Sequence, residues 1–302
     1  GHLEDGYPPL AALIAASLAP GKPLAFLSNG GYDNTVGVVP LTRLNDLGTV
    51  SRIAYPNRRD PTNRADDITY HSQATADRIR RFQNERLAAM AATQTLPTYA
   101  SSMQQLLATR RSGNLLERLL EFLPTNEDLG RYNNPIARQG LVALGAYQAG
   151  VCAAANLTSG GFDTHGNHDM NQGNALGTLL RGVDMIMDRI DMLGLTDRVA
   201  VIVSSDFGRT PRYNAQNGKD HWSVTSALLM GPGIRGDRVI GASDDGQRAR
   251  GLDYSSLQVS DSSPRKLTPK AIHTSLRRYA GVENSEVTRQ FPIYGDSINL
   301  FA

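Results

Sequence analysis

The fold is decided by the stretch Arg198-Val199-Ala200-Val201-Ile202-Val203-Ser204, which continues into Ser205-Asp206-Phe207-Gly208-Arg209. An unbroken, largely β-branched apolar run of this kind is typical of a strand that is buried on both faces of a parallel sheet. The polar residues after it mark the carboxyl end of the strand, where open α/β sheets bind their ligands. The stretch therefore predicts a sheet strand with a candidate site at its end.

The segments around this strand predict an α/β domain with a mostly parallel sheet. Further strand candidates are Leu24-Ala25-Phe26-Leu27, residues 155–158 and residues 226–230, and a helix is predicted over about 174–193. Strands that alternate with helices and polar loops favour parallel pairing. Because the strand candidates come from both halves of the chain, we expect a single domain over residues 1–302.

The middle third of the sequence predicts helices alone. Apolar residues recur at helical spacing over about 72–92, 99–109, 114–123 and 135–154. The segment from about 72 to 123 is therefore expected to form an extra helical face or cap on the domain.

Composition excludes several classes of protein. The 302 residues are 40% hydrophobic, and 31 basic against 29 acidic side chains leave a net charge of +2, so we expect no nucleic-acid partner. Cys152 is the single cysteine, which excludes an intramolecular disulfide, and its apolar neighbours indicate a small core residue. The apolar stretch over residues 10–19 is too short to span a membrane. Gly1-His2 resembles the scar of a removed tag.

The loop Gly160-Gly161-Phe162-Asp163-Thr164-His165-Gly166-Asn167-His168-Asp169 carries two carboxylates and two imidazoles. Glycines allow a backbone to bend around a cation, so the composition fits a metal site. It also fits a turn that caps the following helix and leaves its histidines in solvent. Both interpretations stay open at this point.

Two further loops carry groups of the same kind. Asp206 directly follows the apolar strand, where it fits either a metal ligand or a turn cap, and Arg209 could hold an anionic oxygen or pair with Asp206. His221 lies in Gly218-Lys219-Asp220-His221-Trp222-Ser223, beside the single tryptophan.

Together the three loops predict one metal centre. We expect Asp163, His165, Asp206 and His221 to converge at the carboxyl edge of the sheet, with His168 as an alternative ligand. Carboxylate and imidazole ligands suit zinc or manganese, and calcium is a further option. His273, within the helical pattern Thr268-Pro269-Lys270-Ala271-Ile272-His273, is expected to be structural.

The chain resembles the DUF1501 family at these loops. The resemblance runs in order through residues 161–167, 205–211 and 218–222, and continues at residues 231–236, 239–241 and 267–269. That family is similar to the alkaline phosphatase and sulfatase superfamily. The resemblance implies a three-layer α/β/α sandwich, a metal-centred hydrolase site and export to the periplasm or beyond, by a signal outside this chain.

The resemblance also implies roles for individual residues. Asp163 with His165 corresponds to one acid–histidine ligand pair, Asp206 to the acid of an Asp-His motif, and His221 to a later histidine ligand. Phe207 stands where the phosphatases carry a histidine. No nucleophile motif is recognisable; Thr35 and Ser72 are candidates, although Ser72 also fits a plain helix N-cap.

Three functions follow as expectations. The first is a metal-dependent hydrolase of phosphate or sulfate esters, acting on a small-molecule or polysaccharide anionic ester. The second is a catalytically silent, exported binding or assembly protein that keeps the fold. The third is a carbohydrate- or anion-binding module that uses the same cleft.

Overall fold

The computed structural model describes residues 6–43, 51–52, 54–63, 65–111, 113–295 and 297–301. The chain divides into two compact units. The N-terminal unit contains residues 11–131 and 139–157, and the C-terminal unit contains residues 1–10, 132–138 and 158–302. A single domain stays a prediction, and Gly1-His2 lies outside the described residues.

A small parallel sheet forms the centre of the N-terminal unit. Strand β1 (Phe26–Ser28) lies between β2 (Leu41–Arg43) and β3 (Ala154–Asn156), and both neighbours are parallel to it. Every residue of β1 is buried. The predicted mixed α/β class is confirmed, and this three-stranded sheet has the predicted parallel pairing.

Helices make up most of the rest of this unit. Their bounds are α1 Leu10–Leu18, α2 Gln73–Thr93, α3 Pro97–Arg111, α4 Gly113–Phe122, α5 Asn126–Arg131 and α6 Pro135–Gln148. Leu10 of α1 and residues 135–138 of α6 are counted with the C-terminal unit. The predicted helical segment over 72–123 is thus present as α2, α3 and α4. Helix α6 ends six residues before its predicted end, because Gly150 adopts a φ of 76° and the Val151 N–H bonds back to the Ala146 carbonyl.

The core of the N-terminal unit joins β1 to α4 and α6. Leu27, Leu119, Ala146 and Val151 are almost fully buried in one cluster. Cys152 belongs to this cluster, as predicted, and burial raises the pKa of its thiol to about 12. The thiol is therefore protonated and acts as a small apolar side chain.

The C-terminal unit contains short strands and the three loops that carry the predicted metal ligands. Its elements are α7 His168–Met192, β4 Val201–Ser204, β5 Gly208–Arg209, β6 His221–Trp222, β7 Ala227–Met230, α8 Pro269–Tyr279 and α9 Glu286–Arg289. The expectation that residues 198–204 and 226–230 join a parallel sheet is wrong for this pair, since β4 and β7 are antiparallel. The chain between them forms the β5–β6 hairpin, and parallel strands need a helical crossover that this connection lacks.

No helix in the described ranges is both long and apolar enough to cross a membrane.

Candidate metal centre

The β5–β6 hairpin places two predicted site residues side by side. Arg209 on β5 is directly opposite His221 on β6. Residues opposite one another in an antiparallel pair project from the same face, with their Cβ atoms about 5 Å apart. The local pairing therefore brings these two side chains together, although they are 12 positions apart in sequence.

The loop before α7 is held against this hairpin by backbone bonds. The Lys219 N–H donates to the Thr164 carbonyl at 3.1 Å, and the Asn214 side chain donates to the His165 carbonyl at 3.1 Å. Gly218 makes the approach possible, since a Cβ at this position would lie 1.9 Å from the His165 carbonyl carbon. The absence of a side chain at position 218 thus allows the two loops to lie this close together.

Three predicted ligands converge where the two loops meet. Nε2 of His165 lies 3.1 Å from Oδ1 of Asp163, Nε2 of His221 lies 3.2 Å from the same oxygen, and the two nitrogens are 3.2 Å apart. All three side chains are exposed, at between 46% and 72% of their surface. Solvent, an ion or a substrate can therefore reach the cluster directly.

The separations of these three atoms fit a shared divalent ion. Ligands held about 2.05 Å from a tetrahedral zinc ion lie about 3.3 Å apart. One carboxylate oxygen and two imidazole nitrogens form a ligand set that occurs in catalytic zinc sites, which keep a further position open. The three atoms are therefore spaced as ligands of one ion would be.

Asp220 orients the ring of His165. Oδ1 of Asp220 lies 3.0 Å from Nδ1 of His165 and accepts a second hydrogen bond from Asn214 at 3.1 Å. The Asn214 amide, followed by His165, holds the pKa of the Asp220 carboxyl below its ordinary value. An ionised carboxylate only accepts hydrogen bonds, so Nδ1 of His165 donates to Asp220, and this contact turns Nε2 of the same ring towards Asp163 and His221.

Phe207 orients the second histidine. Its ring stacks on the imidazole of His221 with centroids 3.8 Å apart and planes 22° apart. The aromatic ring at position 207 thus supports one face of a predicted ligand.

Arg209 acts on the cluster through Asp163. One terminal nitrogen donates to Oδ1 of Asp163 at 2.6 Å and to the Phe162 carbonyl at 2.7 Å, and the other donates to the Lys219 carbonyl at 2.9 Å. Arg209, followed by His221, holds the pKa of the Asp163 carboxyl below its ordinary value. Since only 10% of the Arg209 side chain is exposed, these contacts favour a positioning role over direct contact with an anionic substrate.

Asp206 and His168 lie outside the group of three. Asp206 is exposed just after β4. His168 begins α7 six residues earlier than the predicted helix start, and its Nδ1 lies 2.8 Å from the Thr164 hydroxyl. Its role as an alternative ligand, and that of Asp206 as a fourth one, stay predictions.

The nucleophile candidates belong to the N-terminal unit. The Thr35 hydroxyl accepts a hydrogen bond from the Gly37 N–H within a turn. Ser72 is the N-cap of α2, where it accepts from the Thr75 N–H and donates to the Thr75 hydroxyl. The contacts described therefore give both residues local structural roles.

Sequence reasoning missed the roles of Asp220 and of Phe207. Asp220 directly precedes the predicted ligand His221, but its partner His165 is 55 positions away in the sequence. The signal that could have identified it is the rule that metal-bound histidines pair with a carboxylate through their second nitrogen.

A family model matches residues 36–262 of the chain, with the description "Protein of unknown function (DUF1501)". The chain belongs to the DUF1501 family. The matched range contains Asp163, His165 and His221, together with Arg209 and Asp220. No curated protein and no solved structure matches the chain.

Proposed function

We propose that this protein is a divalent-metal-dependent hydrolase of phosphate or sulfate esters. The proposal rests on one observation, the triangle formed by Oδ1 of Asp163, Nε2 of His165 and Nε2 of His221 with sides of 3.1–3.2 Å. Three exposed ligands leave room for water and an ester oxygen beside the ion.

Zinc or manganese suits this ligand set better than calcium. Two of the three ligand atoms are imidazole nitrogens, which zinc and other transition metals accept. Calcium takes six to eight oxygen ligands, and the cluster offers one carboxylate among its three groups.

The bound ion would polarise the ester oxygen and lower the pKa of a bound water. The chain's own residues prepare the site for this. Asp220 turns Nε2 of His165 towards the cluster, Phe207 stacks on the His221 ring, and Arg209 holds the Asp163 carboxylate in place.

The proposal includes a relationship to the alkaline phosphatase and sulfatase superfamily. Similarity to the alkaline phosphatase and sulfatase superfamily would give the chain a three-layer α/β/α sandwich and a site for an anionic ester. Export to the periplasm or beyond is part of the same proposal. The acid-and-histidine cluster within the DUF1501 match supports it.

A second candidate is a catalytically silent binding or assembly protein. The contact that favours it is the Arg209–Asp163 pair, because this guanidinium already neutralises the one carboxylate of the cluster. Such a protein would keep the loops together through Arg209 without an ion.

Hydrolysis of p-nitrophenyl phosphate and p-nitrophenyl sulfate tests the proposal. Protein stripped with a chelator should be inactive, and zinc or manganese should restore turnover. Asp163→Asn and His221→Gln should abolish the restored activity, whereas the control His273→Gln should retain it. Turnover that persists in Asp163→Asn would contradict the proposal, and inactivity of all metal-loaded samples on both esters would favour the silent protein.

A further inference from the structure

An open cleft of about 530 Å³ adjoins the cluster of Asp163, His165 and His221 in the C-terminal unit. One wall is the segment Ser159-Gly160-Gly161, and Asp163 lies at its end. The other wall is one face of α7, where Asn171, Asn174, Ala175 and Thr178 follow helical spacing. The cleft is open to solvent, so a ligand can enter it directly from the surface.

Uncharged hydrogen-bonding groups dominate these walls. Within the described part of the chain, the side chains of Ser159, Asn174 and Thr178 make no hydrogen bond to protein, so their donors and acceptors are free for a ligand. A Cβ added to Gly160 would meet nothing within 4 Å, so a ligand can approach the backbone there.

The charges beside the cleft disfavour an ionic group along its two walls. Asp163 is the one charged side chain among the described lining residues, and Arg209 already pairs with it. An anionic group would find no cationic side chain along either wall, and a cationic group would lie beside the proposed metal ion. A polar group without net charge avoids both problems, because it needs no cationic partner and is not repelled by the metal ion.

We propose that this cleft binds a neutral, hydroxyl-rich moiety such as a sugar ring. The inference rests on the proposed function, because the sugar and the esterified phosphate or sulfate would belong to the same substrate. The ester group would lie at Asp163, His165 and His221. Hydroxyl groups would bond to the amide of Asn174, the hydroxyls of Ser159 and Thr178, and the exposed backbone of Gly160.

Titration of the metal-free protein with neutral disaccharides tests the cleft without any hydrolysis. Cellobiose, maltose and lactose are added separately, and the amide NMR signals of Gly160, Gly161 and Asn174 are followed. At least one sugar should shift these signals in a saturable way, and glucuronate and glucosamine should bind more weakly. Asn174→Leu should weaken binding about five- to tenfold, because hydrogen bonds to the amide are lost.

Asp184→Leu is the matched control, since it places leucine at an exposed position of α7 outside the cleft. It should bind the sugar as the unmodified protein does. Equal weakening by both variants, tighter binding of glucuronate, or no shift with any of the three sugars would overturn the inference. Because the titration needs neither metal nor an ester, the cleft can fail while the hydrolase proposal stands, and the reverse also holds.

Discussion

At the scale of single residues, the cluster depends on side chains other than its three candidate ligands. Asp220 orients the ring of His165, Arg209 donates a hydrogen bond to the Asp163 carboxylate, and Phe207 stacks on the ring of His221. Each of these contacts reduces the rearrangement needed when an ion binds. Their loss should weaken metal binding while the three ligands stay in place.

Asp220→Asn should lower the affinity for zinc about 10- to 100-fold, which is the usual effect of removing such an outer carboxylate. The amide keeps the shape of the side chain but loses the charge that holds the Nδ1 proton of His165. Isothermal titration of the metal-free protein with zinc measures the change.

Asp261→Asn serves as the control, because Asp261 is likewise an exposed carboxylate, is paired with Arg250, and lies outside the cluster. It should bind zinc normally. An unchanged affinity in Asp220→Asn would show that the hydrogen bond to His165 has no part in the site.

The sequence was sufficient to predict the three residues of the candidate cluster, but not the side chains that support them. Asp163 and His165 are two positions apart in a glycine-rich loop, and His221 follows a similar loop, so local composition marks them. Asp220 and Phe207 act through contacts that depend on how the hairpin meets the loop. That geometry comes from packing, which no local pattern contains.

At the scale of elements, the β5–β6 hairpin and the loop before α7 form the framework of the site. The sequence correctly predicted most of the helices, since helical periodicity is a local property. It did not predict the antiparallel pairing of β4 with β7, because strand direction depends on the path of the intervening chain.

Gly218→Ala should disturb both stability and metal binding. The new methyl group would collide with the backbone of His165, and backbone cannot move aside as a flexible side chain can. We expect a loss of about 1–3 kcal/mol in the free energy of unfolding, with weaker zinc binding. Urea unfolding and zinc titration provide the two measurements.

Gly173→Ala is the matched control. Gly173 lies on α7 with open space where a Cβ would be, so alanine there should stabilise the helix by up to about 1 kcal/mol. A Gly218→Ala variant as stable as Gly173→Ala would mean that the loop and the hairpin are not in close contact.

The turn after β1 gives the N-terminal unit a pH-dependent contact. Arg43 donates two hydrogen bonds to the buried Asp33, at 2.8 and 2.9 Å, and Ser28 donates a third at 2.9 Å. Arg43, as the largest favourable influence, holds the pKa of the Asp33 carboxyl below its ordinary value of 3.8. The stabilisation is thus fully present above that value and is lost as the pH falls through the lowered pKa.

Arg43→Gln should therefore lower the melting temperature at pH 7, and the difference from the unmodified protein should shrink as the pH falls below about 4. Thermal unfolding followed by circular dichroism across this range measures it. Lys266→Gln removes an exposed positive charge elsewhere and should not produce this pH dependence. A difference that stays constant from pH 7 to pH 2 would contradict the role of the Asp33 carboxylate.

At the scale of the whole molecule, the cluster lies entirely within the C-terminal unit. An ion that binds only the folded chain stabilises it, by about 2.7 kcal/mol when its concentration is 100 times the dissociation constant. Metal binding should therefore raise the stability of the unit that holds the loop and the hairpin.

The central claim is that Asp163, His165 and His221 bind one divalent ion. Calorimetric titration of the chelator-treated chain with zinc tests it most directly, with Asp163→Ala, His221→Ala and the control His273→Gln measured alongside. We predict one zinc ion per chain for the unmodified protein and for His273→Gln, and no binding at this site in the two alanine variants. Failure of the unmodified chain to bind zinc or manganese, or equal binding by Asp163→Ala, would contradict the account.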